Sequence, residues 1–503
     1  MSCLILQKVL GFTDFKLRLS TKSKNIMWRF YKEATKISIC LKSKKTLFII
    51  AFTGILFLGL ASFFVQNNVS AESDVNKNIF VIGERSIPLL LINIILLGLF
   101  ILHYQKNLPS SILQFFNYIR DFEVSKRVTV VIILVLLGLY IIFSVPELSE
   151  SEIGPDVKRV REAAESFSIK DSFNRTVKGS ISTEFRYLLL HISFVIFDNI
   201  RYVPLIVSVS LLLVTFFLTY TLSKKRLGGI IAMIIILQSN LFLKYDTTAT
   251  YENSWLLFYL LSLYLIYKKW YLSPISYVLS LFSKTLTAFF LPFTLFFIYR
   301  SDLTRDLKYK IGFVYGIIFI LMFIAYFTNK LQGTLPEFTF HSNLFWTGFT
   351  VLESFFRSDF MVSIFLLPVI YGLFILSKKG FLVADSLMIL IAGILLTAPL
   401  LVSLTDMTNQ PYRFVPLVVF FAIGAGILLS TKITTFQKKQ KHDTIISWMA
   451  FLTSVSIVLI NLSVVVFPHI IQRQYGLNLW LGYLESSTRM VKLRCNFFSI
   501  HDF

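Results

Sequence analysis

Residues 128–144 read VTVVIILVLLGLYIIFS, without one charged side chain. A hydrocarbon layer of roughly 30 Å is crossed by about 20 such residues, and only as a helix, because lipid offers no hydrogen-bond partner to backbone N–H and C=O groups. Runs of this kind recur along the chain, which is 55% hydrophobic and 15% charged, against roughly 25% charged in soluble domains. The expected fold class is therefore an all-α polytopic membrane protein with about 12–13 transmembrane helices. Spans are expected near 47–65, 86–104, 128–145, 204–222, 227–243, 254–267, 271–283, 285–299, 311–328, 359–376, 381–404, 414–430 and 445–467, the pair around Lys284 being short enough to form a two-part hairpin.

The net charge of +21 would point to nucleic acid in a soluble protein. Here the basic residues sit in short connections between apolar runs, so they report topology, and no nucleic-acid partner is expected. With a cytoplasmic N-terminus, 30 of the 49 Lys/Arg fall on the cytoplasmic side, 11 of them in residues 1–46. This orientation places two long loops, 146–203 and 329–358, on the outer face of a cell membrane. It also places there the sequons at Asn68 and Asn174. The expected organisation is a basic cytoplasmic segment 1–46, two additional N-terminal helices within 47–127, a membrane domain 128–467 and a tail 468–503. Cys3, Cys40 and Cys495 have neither zinc nor disulfide spacing.

Directly after the apolar run comes VPELSESEIGPD (145–156), with Glu147, Glu150, Glu152 and Asp156. The next stretch, DVKRVREAAESF (156–167), puts Val157, Val160, Ala164 and Phe167 on one side of a helix, and Lys158–Glu162 and Arg161–Glu165 at i,i+4 spacing on the other. Asp156 stands where a carboxylate caps the first turn. FRYLLLHISFVIFD (185–198) is a second amphipathic, interfacial piece. Carboxylates at the mouth of a helix bundle have the chemistry of a general base for a substrate held at the membrane boundary. No Walker or dinucleotide fingerprint is present; Gly228-Gly229 is not a phosphate loop. An acid-x-acid pair such as Glu150-Ser151-Glu152, together with a phosphate, offers a place for Mg²⁺ or Mn²⁺.

From 185 to 299 the order of features is specific. Arg201 precedes Pro204 at the opening of a span, Glu252 opens another, and Ser283-Lys284 is followed by an apolar run with Pro292; later, NQPYRFVPLVV supplies Tyr412, Arg413 and Pro416. Over roughly 128–430 this order resembles the GT-C superfamily of membrane glycosyltransferases, near the protein O-mannosyltransferase and lipid A aminoarabinose transferase type. In that family the first outer loop carries an acid pair followed by an aromatic and a small residue; Asp156 and Ala164 fit, whereas Val157 and Val160 depart from the pattern.

The resemblance implies a GT-C-like membrane domain that transfers a sugar, with inversion, from a polyprenyl-phosphate donor to a protein, glycan or lipid acceptor on the outer face. Asp156 is then the first candidate for the base and Glu152 the second. Lys284, Arg201, Arg413 and Tyr412 are candidates for holding the donor, with Glu252 orienting a cation. An ammonium between two apolar runs, as at Lys284, has to face a polar cavity, and guanidinium groups at helix ends suit phosphate. Alternatives are a transporter or flippase of a lipid-linked or anionic substrate, and an inactive relative that binds glycans.

Overall fold

The computed structural model describes residues 121–149, 157–168, 184–249, 253–327, 359–405, 411–431 and 441–466, together with Glu152 and a few isolated positions before Asp121. The chain divides into two compact units, Met1–Ser73 with Asn107–Phe115, and Asp74–Lys106 with Phe116–Phe503; every element below belongs to the second. Asp156, Glu252, both sequons, the spans expected at 47–65 and 86–104, the loop 329–358 and the tail 468–503 lie outside the described residues.

The described elements are helical: α1 (Lys126–Ser144), α2 (Val157–Glu165), α3 (Glu184–Phe197), α4 (Tyr202–Ser223), α5 (Arg226–Leu237), α6 (Asn240–Tyr245), α7 (Asn253–Lys268), α8 (Ser273–Ser283), α9 (Leu291–Arg300), α10 (Arg305–Phe327), α11 (Phe360–Lys378), α12 (Val383–Thr405), α13 (Val415–Ser430) and α14 (Lys441–Val466). A helix thus lies in each of the eleven spans expected from 128 onward, those in 227–243, 271–283 and 285–299 being short, at 12, 11 and 10 residues. Five stretches are both long and apolar enough to cross a membrane: Lys126–Ser149, Tyr202–Ser223, Arg305–Ile324, Val383–Leu401 and Tyr412–Ser430.

α1 shows how its sequence chooses its environment. Ser125 caps it, accepting from the Val128 N–H at 3.4 Å, and Pro146 ends it. Its buried stripe is Thr129, Leu137, Tyr140 and Ser144, mostly polar, while Val131, Leu134, Ile142 and Phe143 are 59–74% exposed. An apolar exterior around a more polar interior is stable in hydrocarbon, where the outward face loses nothing and the polar groups find partners in the bundle. α13 is the opposite case, buried along nearly its whole length against α4, α5, α11 and α12. Its crossing with α5 is backbone to backbone: a Cβ on Gly426 would come within 2.4 Å of the Gly228 carbonyl oxygen. Glycine is required there because nothing larger lets the two helices approach. This close approach is the role of Gly228.

Contacts at the two ends fix the alternating direction of the helices. At one end, where α9 stops and α12 and α14 begin, Arg300 is 1% exposed and donates to Asp385 through Nε (3.0 Å) and to Asp443 through Nη1 (2.7 Å). Ser447 adds a hydrogen bond to Asp385 at 2.9 Å. Arg226 pairs with Glu123 at 3.7 Å at the start of α5 and α1. The opposite end carries the residues singled out in the sequence.

Outside the bundle proper, α2 lies as its i,i+4 pattern predicts. Val160 and Ala164 are buried against Leu190 of α3 and Ala249, and the outward pairs Lys158–Glu162 (3.9 Å) and Arg161–Glu165 (2.8 Å) form. His191 Nδ1 meets the Ala164 carbonyl at 2.8 Å, tying α3 to the end of α2.

Candidate functional site

The break between α8 and α9 sets the position of Lys284. α8 closes at Ser283, Lys284 is extended (φ −156°, ψ 120°), and a 3-10 turn, Thr285–Phe290, leads into α9. Buried hydroxyls fasten this break: Tyr277 donates to the Thr287 carbonyl (2.8 Å), and the Ser280 and Thr287 hydroxyls share a hydrogen bond (3.1 Å). Lys284 Nζ lies 5.2 Å from the centre of the Tyr412 ring and 6.0 Å from that of Trp255. Tyr412 meets Tyr245 edge to face at 5.9 Å, and Lys244 lies over Tyr245 at 5.7 Å. Cation–aromatic contacts of this kind are worth about 0.5–2 kcal/mol depending on desolvation.

Tyr412 and Arg413 sit in a short 3-10 turn, Pro411–Phe414, ahead of α13, whose Pro416 fits the first turn of a helix. Beside this turn is a narrow cleft with Arg413, Trp255, Leu286, Phe290, Thr397 and Leu401 in its wall. The Trp255 indole N–H is buried with no hydrogen-bond partner among the described residues, in a largely apolar wall. Lys284, Tyr412 and Arg413 are therefore brought together, from segments far apart in the chain.

Arg201 is placed differently. It is 8% exposed, and its guanidinium donates to the Thr247 carbonyl (3.2 Å), to the Thr247 hydroxyl (2.7 Å) and to the Glu147 carbonyl. Asn199 reinforces the junction by donating to the Leu148 carbonyl at 2.8 Å. Arg201 thus clamps the 3-10 turn Pro146–Ser149 to the 246–249 loop, and its geometry is that of a positioning residue. That loop in turn receives Glu152, whose carboxylate accepts from the Ala249 N–H at 3.0 Å. Glu152 and Lys284 flank the first turn of α7: the carboxylate on the loop before it, the ammonium over Trp255 within it.

Sequence reasoning passed over the most buried carboxylate at this end. Asp246, 1% exposed, accepts from the Ser144 hydroxyl at 3.3 Å, while its carbonyl accepts from Ser208 at 2.7 Å. Its other carboxylate oxygen is buried without a hydrogen bond. Burial pushes its pKa up to about 7; the Tyr140 hydroxyl opposes the rise and Glu147 adds to it. The only signal in the sequence was position, a carboxylate directly after an apolar span.

No three Asp, Glu, His or Cys side chains among the described residues gather as a metal site. Glu152 already serves the Ala249 N–H, and Glu150 and Asp156 lie outside the described residues. Fold and site together define a helical membrane protein with a cationic, aromatic cleft at one end of its bundle. Compared with known protein families, curated proteins and solved structures, the chain matches none.

Proposed function

We propose that this protein is a glycosyltransferase that moves a sugar from a polyprenyl-phosphate donor to a hydroxyl acceptor at the outer membrane surface. One observation carries the reading: Lys284 lies over the Tyr412 and Trp255 rings, and Arg413, next to Tyr412 in the chain, lines a cleft with Trp255, at the end of an otherwise apolar bundle. Two cations beside a cleft with apolar walls match a ligand that has a phosphate on a hydrocarbon tail.

In this reading Lys284 and Arg413 hold the donor phosphate. A carboxylate, Asp156 or Glu152, takes the proton of the acceptor hydroxyl as its oxygen attacks the anomeric carbon from the side opposite the phosphate. The new C–O bond forms as the bond to the phosphate oxygen breaks. The departing phosphate keeps that electron pair, and the two cations stabilise its growing charge. Glu252 remains the candidate for orienting one of them.

The test is reconstitution of the purified full-length chain with polyprenyl-phosphate sugars, measuring sugar release and transfer. Lys284→Gln and Arg413→Gln should each lower kcat/KM by roughly ten- to a hundred-fold, the scale for loss of one charge-stabilising group. Asp156→Asn and Glu152→Gln separate the two base candidates, since only the true base should lower the rate strongly. Equal rates in wild type and both cation variants would refute the assignment. Movement of intact donor across vesicles without sugar release would instead establish a transporter.

A further inference from the structure

At the Arg300 end of the bundle, away from Lys284, α10 opens with cations and turns an apolar flank outward. We propose that the first turn of α10 and the flank below it bind one anionic phospholipid, with Arg305 and Lys308 on its phosphate and an acyl chain lying along the helix. Occupancy of this site is independent of the transferase reading.

The headgroup end is built from two cations and two tyrosines. Arg305 is exposed at the start of the helix. It donates through Nε (3.2 Å) and Nη2 (3.1 Å) to the Tyr309 hydroxyl, and its guanidinium lies over the Tyr309 ring at 5.5 Å. Tyr309 is 62% exposed, as a tyrosine is at the boundary between headgroups and hydrocarbon. Lys308 Nζ donates to the carbonyl of Tyr299 near the end of α9, at 2.9 Å. That bond holds the ammonium in the corner between α9 and α10. Each cation carries more N–H groups than these bonds use. The acids of the corner are committed elsewhere: Asp302 lies 4.0 Å from Lys224 Nζ, and Asp443 accepts from Arg300 at 2.7 Å. Asp306 stands about 100° around the helix from Arg305.

Below the cations the face is apolar and open. Gly312 and Gly316 follow Lys308 at intervals of one helical turn, and a Cβ on either would meet nothing within 4 Å. Phe313, 71% exposed, stands beside this bare strip, and Phe319 and Phe323, ring centres 6.4 Å apart, lie further along it. From Lys308 to Phe319 the helix rises about 16 Å, the depth of one leaflet in a hydrocarbon layer of roughly 30 Å. A guanidinium offers paired N–H groups to phosphate and an ammonium adds a point charge. Basic corners between helices at headgroup depth select anionic lipid for this reason. A second copy of the chain is the other occupant that a glycine-bearing face admits. Copies in one membrane meet in parallel, however, so Arg305 and Lys308 of each would oppose those of the other. Charge thus favours the phosphate.

The test is native mass spectrometry of the full-length protein in detergent, titrated with dioleoyl phosphatidylglycerol or dioleoyl phosphatidylcholine, which share tails and differ in net charge. The first phosphatidylglycerol should bind saturably and roughly ten-fold more tightly than phosphatidylcholine. Arg305→Gln together with Lys308→Gln should lower it to the phosphatidylcholine level, with the thermal midpoint in lipid-free detergent unchanged because neither side chain is buried. Gly312→Leu, which fills the bare strip and keeps both cations, should weaken phosphatidylglycerol by a similar factor. Equal affinities for the two lipids, or a preference that survives the double substitution, would overturn the inference. So would a dimer that Gly312→Leu dissociates, since the face would then belong to a second copy.

Discussion

Arg201 offers the sharpest test of the architecture, because a phosphate ligand and a structural clamp respond differently to its removal. The perturbation is Arg201→Met, which keeps an unbranched apolar stem and deletes the guanidinium. Three hydrogen bonds disappear: to the Glu147 carbonyl, the Thr247 carbonyl and the Thr247 hydroxyl. At 8% exposure, water does not replace them fully. Hydrogen bonds to a charged donor are worth about 1.5–3 kcal/mol each, and sharing among three partners reduces the sum, so a loss on the order of 3–5 kcal/mol is expected. For a bundle this large that is a drop of several degrees in thermal midpoint. The assay is thermal unfolding in detergent, with and without a saturating polyprenyl phosphate, for wild type, Arg201→Met and Lys284→Gln. A clamp predicts that Arg201→Met melts early without ligand, and that its ligand-induced shift, when saturated, resembles that of wild type. Lys284→Gln should show the reverse, near-normal stability with a diminished shift. If Arg201→Met has wild-type stability and has lost only the ligand shift, Arg201 binds phosphate and the reasoning from its partners is refuted.

Other consequences follow from burial at the same end and at the opposite one. Asp246 has its folded pKa raised to about 7 by burial, so the folded state retains a proton that the unfolded chain releases near pH 4. Stability should therefore fall as pH rises from about 4 to about 7, by up to a few kcal/mol, and level off above; Asp246→Asn should flatten this dependence in melts run from pH 4.5 to 8. Gly426→Val forces a side chain toward a backbone oxygen only 2.4 Å from its Cβ position. It should cost about 2–3 kcal/mol or abolish folded yield, read by size-exclusion profile, whereas Gly316→Val on α10, where nothing lies within 4 Å, should be tolerated. Arg300→Met strands Asp385 and Asp443, and removing one partner of a buried ion pair costs about 3–5 kcal/mol. Adding Asp385→Asn should recover part of that loss in the same melt, and no recovery would show that the pair is not coupled.

The parts of this fold that could be read from sequence are those written in short-range patterns. Each helix from α4 onward that crosses the bundle coincides with an apolar run, and α2 was legible from two i,i+4 charge pairs and the spacing of Val160 and Ala164. The interruption at Lys284 could also be read, since an ammonium between two runs too short to cross alone demands a break. The partners of the charged residues could not. Arg201 finds Thr247 across 46 positions, and Arg300 finds Asp443 across 143. Nothing local distinguishes a guanidinium that closes on carbonyls from one that awaits a phosphate. For Asp246 the missing quantity was depth: the same carboxylate at the end of the same span is an ordinary wet loop residue unless Tyr140, Ser208 and Asn253 bury it.

The distribution of charge between the two ends explains how such a bundle holds one cleft rigid while leaving it polar. At the end with Arg300, buried carboxylates and a guanidinium are bonded to one another and to Ser447, joining α9, α12 and α14. That end is a fastening across three helices, although Asp385 Oδ1 and Ser386 Oγ stay buried without a partner among the described residues. At the other end the fastening is done by Arg201 and by the hydroxyls around Lys284. The Trp255 indole N–H and the Asn253 amide oxygen, both buried, have no partner among the described residues. A membrane protein that leaves a donor and an acceptor unsatisfied on neighbouring residues of one helix bears the desolvation cost twice. The two side chains line different clefts on either side of α7, one beside Arg413 and one beside Arg186, so neither can relieve the other.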